Sequence, residues 1–284
     1  MTKRDPAPIR SVAAFYVGAV AISWPCWLLA VGADRGLIAI PGGFVSLLVI
    51  LGGFGPLFSA LAMTAYESGR RGLVFLLGQA FVWRVRLRWY AAALLLPVAL
   101  RFAVILLHIL KGGSFPGLTD VDRWLAVPTT FAFVLLLGGP LGEEVGWRGF
   151  SQPRLQTKLG LLQASLVIGL ASALWHLPLF LIPSTVQSHL PVGLFIVRSV
   201  ALAVISGWIW NRSGRSLLLV LLFHASLNTW PNTLFILEAQ GALGPYLSTS
   251  ILYSAWAILL VILGQLKPDR SAPQDRRDSG RAAA

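Results

Sequence analysis

Eight separate apolar runs, each close to the length a helix needs to cross a bilayer, punctuate this sequence of 284 residues. A hydrocarbon core takes about 20 helical residues, and every backbone N–H and C=O inside it must be satisfied within the fold. Long apolar runs of this kind are therefore read as helices. They fall at residues 11–31, 38–66, 89–110, 124 to about 149, 161–182, 192–210, 216–237 and 246–266. The expected fold is all-α, a polytopic membrane protein of about eight transmembrane helices in a single membrane domain over 1–284. Composition agrees, with 56% apolar and 12% charged residues against roughly 45–50% and 25% in soluble domains.

The first run follows Lys3, Arg4 and Arg10, as a signal peptide would, and ends in a loose Ala30-Val31-Gly32 cleavage pattern. It exceeds a signal core of about 7–15 residues and further spans follow it, so it is expected to remain as a helix. The net charge of +12 does not point to nucleic acid, because the basic residues sit in short clusters between apolar runs. Threading the eight spans puts Lys3, Arg4, Arg10, Arg70, Arg71, Arg84, Arg86, Arg88, Arg148, Arg154, Lys158, Arg212, Arg215, Lys267, Arg270, Arg276, Arg277 and Arg281 on one side, 18 of the 23 Lys and Arg. Positive charge marks the cytoplasmic side, so both termini are predicted cytoplasmic. Residues 71–88 mix arginines with Leu73, Phe75, Phe81 and Trp83 and read as a helix lying along that surface. The tail, 268–284, is too polar to bury and reads as disordered. The 11 tryptophans, Trp24, Trp89, Trp124, Trp208 and Trp230 among them, read mostly as an interfacial belt. Gly52-Gly53-Phe54-Gly55-Pro56 breaks the second run and reads as a kink or a close helix contact. The lone Cys26 cannot form an internal disulfide and offers no thiolate cluster.

Ionisable side chains within spans are costly in hydrocarbon and are functional candidates by default. Here they gather in three runs. The fourth contains Gly138-Gly139-Pro140-Leu141-Gly142-Glu143-Glu144-Val145-Gly146-Trp147-Arg148. Pro140 removes a helical hydrogen bond, and irregular backbone at this depth survives only where protein buries it or where it lines a watery cavity. A broken-helix cavity beside Glu143 follows. Neighbours on a helix point about 100° apart while i, i+4 residues share a face. Glu144 should therefore pair with Arg148, leaving Glu143 to face the cavity as the general base. The fifth run ends in Trp175-His176-Leu177-Pro178, and the seventh carries His224 and Asn228 on one face. A carboxylate, two imidazoles and a carboxamide are the groups that activate water and hold an oxyanion. Trp147 and Trp175 neighbour these groups and read as packing or as the wall of an apolar groove.

At these residues the sequence resembles the CAAX protease and bacteriocin-processing family of intramembrane proteases, over roughly 124–237. Its EExxxR motif is matched by Glu143, Glu144 and Arg148, its FxxxH motif ends at His176, and its HxxxN motif is His224 and Asn228. Ser172 stands in the motif-two Phe position, so that motif does not say what packs on the imidazole. The resemblance implies an endopeptidase acting near the cytoplasmic face on lipidated or membrane-associated peptides, with membrane lipid as its surroundings. In it Glu143 and His176 activate water while His224 and Asn228 hold the oxyanion. It also admits a metalloprotease in which Glu143, His176 and His224 ligate zinc; without an HExxH motif the metal-free reading stands first. A non-catalytic immunity or scaffold protein binding peptides in the same cavity is the alternative. A proton-coupled transporter would be expected to show an inverted repeat, and none is visible.

Overall fold

A computed structural model describes residues 7–113, 121–233 and 243–266. Within them the chain is helical, in this order: α1 (Ala7–Asp34), α2 (Gly42–Gly52), α3 (Gly55–Gly78), α4 (Leu87–Leu110), α5 (Val121–Leu125), α6 (Val127–Leu137) and α7 (Pro140–Glu144), then α8 (Gln152–Trp175), α9 (Val192–Arg212), α10 (Leu217–Thr233) and α11 (Leu243–Ile262). A π-helical segment, Val145–Ser151, joins α7 to α8. The all-α polytopic expectation holds, and no strand occurs among the described residues. The predicted tail, 268–284, lies outside them.

Among the described residues, five segments are long and apolar enough to span a membrane, or six if the pair Gly43–Gly52 and Gly55–Phe81, bent by 41°, counts as one span. The fourth and fifth expected runs lie together in one of these segments. One segment, Val127–Leu181, runs for 55 residues, about 80 Å if straight, and carries non-helical backbone at Gly160. The seventh run gives only a shorter apolar helix, Leu217–Pro231. Outward faces are apolar throughout, as lipid requires, with Val17, Leu95, Leu106, Phe133, Ile251 and Ile262 exposed.

The surface helix expected over 71–88 is only partly present. The helix stops at Gly78, a 3-10 turn covers Gln79–Phe81, and α4 begins at Leu87. Tertiary bonds claim the intervening backbone: Ser216 donates to the Val82 carbonyl and Tyr90 to that of Trp83. Glu67 joins Ser11 of α1 to Arg154 of α8, Gln156 meets Asn211 of α9, and Arg212 holds the Gln265 carbonyl beyond α11. The helix ends that carry the basic clusters thus meet at one end of the bundle.

Two hydrophobic clusters flank the interior. The first unites α1, α3, the π segment and α8 through Phe15, Trp27, Trp147, Phe150, Ile168 and Trp175. The second unites α4, α9 and α11 through Trp89, Ile205, Ile209, Trp210, Tyr253 and Leu260. α10 stands between them, giving Leu217 and Leu221 to the first and Leu219, Val220, Phe223 and Leu227 to the second. Trp124 is exposed, but Trp27, Trp89, Trp147, Trp175 and Trp210 are buried, because their rings fill the core and several indole N–H groups find acceptors inside it. The first run packs into the bundle as α1: Ser59 donates to the Phe15 carbonyl and Trp175 to the Ser23 hydroxyl.

Candidate active site

The site begins where α6 fails. Gly138 and Gly139 end it, and Gly139 sits at φ +116°, a left-handed conformation that residues with a Cβ avoid. Pro140 then opens α7, as its fixed φ favours at a first helical position. A Cβ on Gly139 would also stand 2.9 Å from Glu143 Oε1 and 3.9 Å from Asn228 Nδ2. Glycine is required twice over at this position, by the backbone and by the space the site needs.

From Gly142 to Gln152 the chain is buried without interruption, so this stretch has neighbours on every side. The kink between α2 and α3 makes room for it. Cβ atoms on Gly142 and Gly146 would come within 2.5 Å of the Gly53 carbonyl and 2.7 Å of that of Pro56. Backbone therefore lies on backbone, and the Gly52–Pro56 break is the close helix contact expected of it. The wide π turn that follows is a feature frequent at functional sites. Nothing in the residue pattern announces it.

The two acids face different partners. Glu144 is 2% exposed and pairs with Arg148 at 2.9 Å. Its Oε1 also meets His224 Nδ1 at 2.7 Å. A buried carboxylate is tolerable when paired and hydrogen-bonded, and Glu144 is both. Glu143 is 7% exposed and has looser company: the Trp147 indole donates to Oε2 at 3.3 Å, and His176 Nε2 lies 3.9 Å from Oε1.

His176 follows α8, which Pro178 helps to end. Its Nδ1 lies 2.7 Å from the Ser172 carbonyl. A carbonyl only accepts, so Nδ1 carries the proton and the lone pair of a neutral ring sits on Nε2, toward Glu143. With serine in the motif-two position, the imidazole packs instead on Trp175 at 4.6 Å, Phe195 at 5.3 Å and Trp27 at 6.3 Å.

Glu143, Glu144, Arg148, His176, His224 and Asn228 all line one cavity of about 540 Å³. Its walls reach beyond 124–237, to Trp27, Val49, Ile50 and Gly53. Sequence reasoning missed these because they belong to no motif. It also missed the role of Trp147, which is 1% exposed and serves as a donor to Glu143 rather than as a groove wall. Arg198 reaches the cavity as well and lies over the rings of Tyr246 and Tyr253. His108 and His189 lie elsewhere.

As zinc ligands, Glu143, His176 and His224 offer the right donor atoms. Among the described residues, however, no group of three His, Cys, Asp or Glu side chains is drawn together closely enough to hold an ion.

Residues 123–230 match the profile of a family described as type II CAAX prenyl endopeptidase Rce1-like. A curated relative, CAAX prenyl protease 2 of Methanococcus maripaludis, is 31% identical over 138 residues, which is 44% of this chain and 51% of that protein. The chain thus spans about half the length of the curated relative it matches. The match falls on the stretch that carries the three motifs.

Proposed function

We propose that the chain is an intramembrane endopeptidase, both termini cytoplasmic, that hydrolyses a peptide bond of a lipidated or membrane-associated peptide near that face. The observation that carries this reading is the pairing of Glu143 Oε1 and His176 Nε2 across 3.9 Å at the wall of a cavity that also presents His224 and Asn228. That gap is too wide for a direct hydrogen bond, and one water at about 2.8 Å from each atom bridges it.

In the reaction Glu143 and His176 take a proton from that water as its oxygen attacks the scissile carbonyl carbon. The carbonyl π bond opens to an oxyanion. Asn228 donates its Nδ2–H to that oxygen, and His224, as an imidazolium whose Nδ1–H is held by Glu144, donates its Nε2–H to it. As the C–N bond breaks, the proton taken from water passes to the leaving amine, and the carbonyl carbon becomes the new carboxylate. Glu144 and Arg148 act on His224 and the helix, not on the substrate.

The test is cleavage of a quenched, lipidated C-terminal peptide by the purified protein in detergent, with Glu143→Gln alongside, each with and without chelator. Wild type is expected to cleave, Glu143→Gln to fail while folding normally, and chelator to change nothing. Loss with chelator and recovery with zinc would move Glu143, His176 and His224 to the metal reading. No cleavage of any lipidated or unlipidated membrane peptide would leave a peptide-binding protein.

A further inference from the structure

A second cavity, of about 430 Å³, lies apart from the one that holds the two acids and is lined by Arg88, Trp89, Ala92, Trp208, Arg212 and Gln265. Its volume falls within the range of small-ligand sites, roughly 300–1,000 Å³. The lining comes from three chain ends: the first turns of α4, the last turns of α9 and the residues just after α11. All three ends lie where apolar runs stop, at the arginine-rich end of the bundle. No carboxylate lines it.

Two guanidinium groups reach this cavity. Arg212 is oriented by the Gln265 carbonyl, which accepts from Nε at 3.2 Å and Nη2 at 3.0 Å. Arg88 lies over the Trp89 ring at 5.3 Å, and that ring is fixed edge-on against Trp208 at 5.0 Å. α4 adds a third contribution: no side chain caps its N-terminus at Arg86, so its first amide N–H groups bring partial positive charge to the same end. Planar guanidinium forks and helix N-terminal amides share one preferred ligand, a tetrahedral oxyanion such as phosphate. Beside the cavity, Ile262 and Leu263 at the end of α11 are exposed and apolar, a surface for acyl chains. Basic pockets between spans at a membrane boundary are the form that sites for anionic lipid headgroups take.

We propose that this cavity binds the phosphate of an anionic phospholipid, with Arg88 and Arg212 as its ligands. The site is independent of the proposed proteolysis.

Native mass spectrometry of the full chain in detergent, titrated with phosphatidylglycerol, tests this. Wild type is expected to retain one phosphatidylglycerol more tightly than any other lipid. Arg88→Gln with Arg212→Gln should raise the half-saturating concentration at least ~10-fold, given that each basic residue contributes about 1 kcal/mol to anionic-lipid attraction. Arg88→Gln alone, which leaves the tie to Gln265 intact, should weaken retention by a smaller factor and guards against misfolding of the double variant. Arg84→Gln with Arg86→Gln removes the same charge outside the cavity and should leave retention as in wild type. An equal loss in that control would overturn the site in favour of diffuse charge, as would equal retention of phosphatidylcholine. Displacement by millimolar inorganic phosphate would overturn the lipid assignment in favour of free phosphate.

Discussion

Around Glu143 the wall is aromatic. Trp147 donates to the carboxylate, Trp27, Trp175 and Phe195 surround His176, and Phe15 backs Trp147 edge-on at 5.4 Å. Around His224 and Asn228 the wall on α10 is Leu227 and Pro231 beside Phe223, and the polar order comes from charge, through Arg148, Glu144 and His224. The first region leaves its acid with a long hydrogen bond and an imidazole out of direct reach. The second ties its acid down with contacts of 2.7 and 2.9 Å. A group that must gain and lose a proton benefits from the former, and a group that must stay put from the latter. Adjacent residues of one type have been divided between these tasks by what surrounds them.

Substitutions at the two acids break that contrast most directly. The largest effect expected is on turnover in Glu143→Gln, a fall of about 10³–10⁴-fold, at the upper end of what general acid–base groups contribute. Its thermal unfolding in detergent should match wild type, since the amide keeps the shape and can still accept from Trp147. Glu144→Gln should behave in the opposite sense. It strands the buried Arg148, which costs about 3–5 kcal/mol, so the unfolding midpoint should drop clearly and activity should fall with it. Adding Arg148→Met to Glu144→Gln should recover part of the stability and none of the activity, because His224 remains unanchored. Equal stability of the two single variants would end the distinction between a working and an anchoring acid.

Smaller substitutions sharpen the contrast. Asn228→Ala should lower kcat by about 10²–10³-fold with little change in KM, the signature of a lost oxyanion donor. A change confined to KM would assign Asn228 to substrate binding instead. Trp147→Phe keeps an aromatic ring but deletes the N–H together with part of the buried indole, so its unfolding midpoint in detergent is measured alongside kcat. A hydrogen bond of this kind contributes about 1 kcal/mol or somewhat more when the acceptor is charged, so kcat should fall roughly 5- to 10-fold with KM held. An unchanged kcat would reduce Trp147 to packing.

What the sequence made legible was local. Glu144 with Arg148 and His224 with Asn228 are i, i+4 pairs, and helix geometry places such residues together before any tertiary structure is known. Gly138-Gly139-Pro140 announced a broken helix for equally local reasons. The bond between His224 and Glu144 joins residues 80 apart, and no spacing rule selects which acid receives the imidazole. The same holds for Trp27 and Phe195 on His176, which replace the phenylalanine that motif two would have supplied at Ser172. Hydropathy found the eight runs as helix but did not show that the fourth and fifth lie in one 55-residue segment or that α10 is short, because it averages over neighbouring residues.

The π-helical turn between Val145 and Ser151 has a consequence for how such a chain can change over generations. A wide turn of this kind amounts to one residue more than an α-helical ladder needs. The turn absorbs that residue, so the helix on either side keeps its facing; losing a single codon further along, in the regular part of α8, would instead rotate His176 by about 100° relative to Glu143 and Glu144. His176 would then leave the acid it faces, while the apolar run stayed long enough to enter the membrane. On the proposed function, hydrolysis and membrane insertion are thus separately heritable in this architecture, and the π turn marks a place where the length of the chain can change without moving the site.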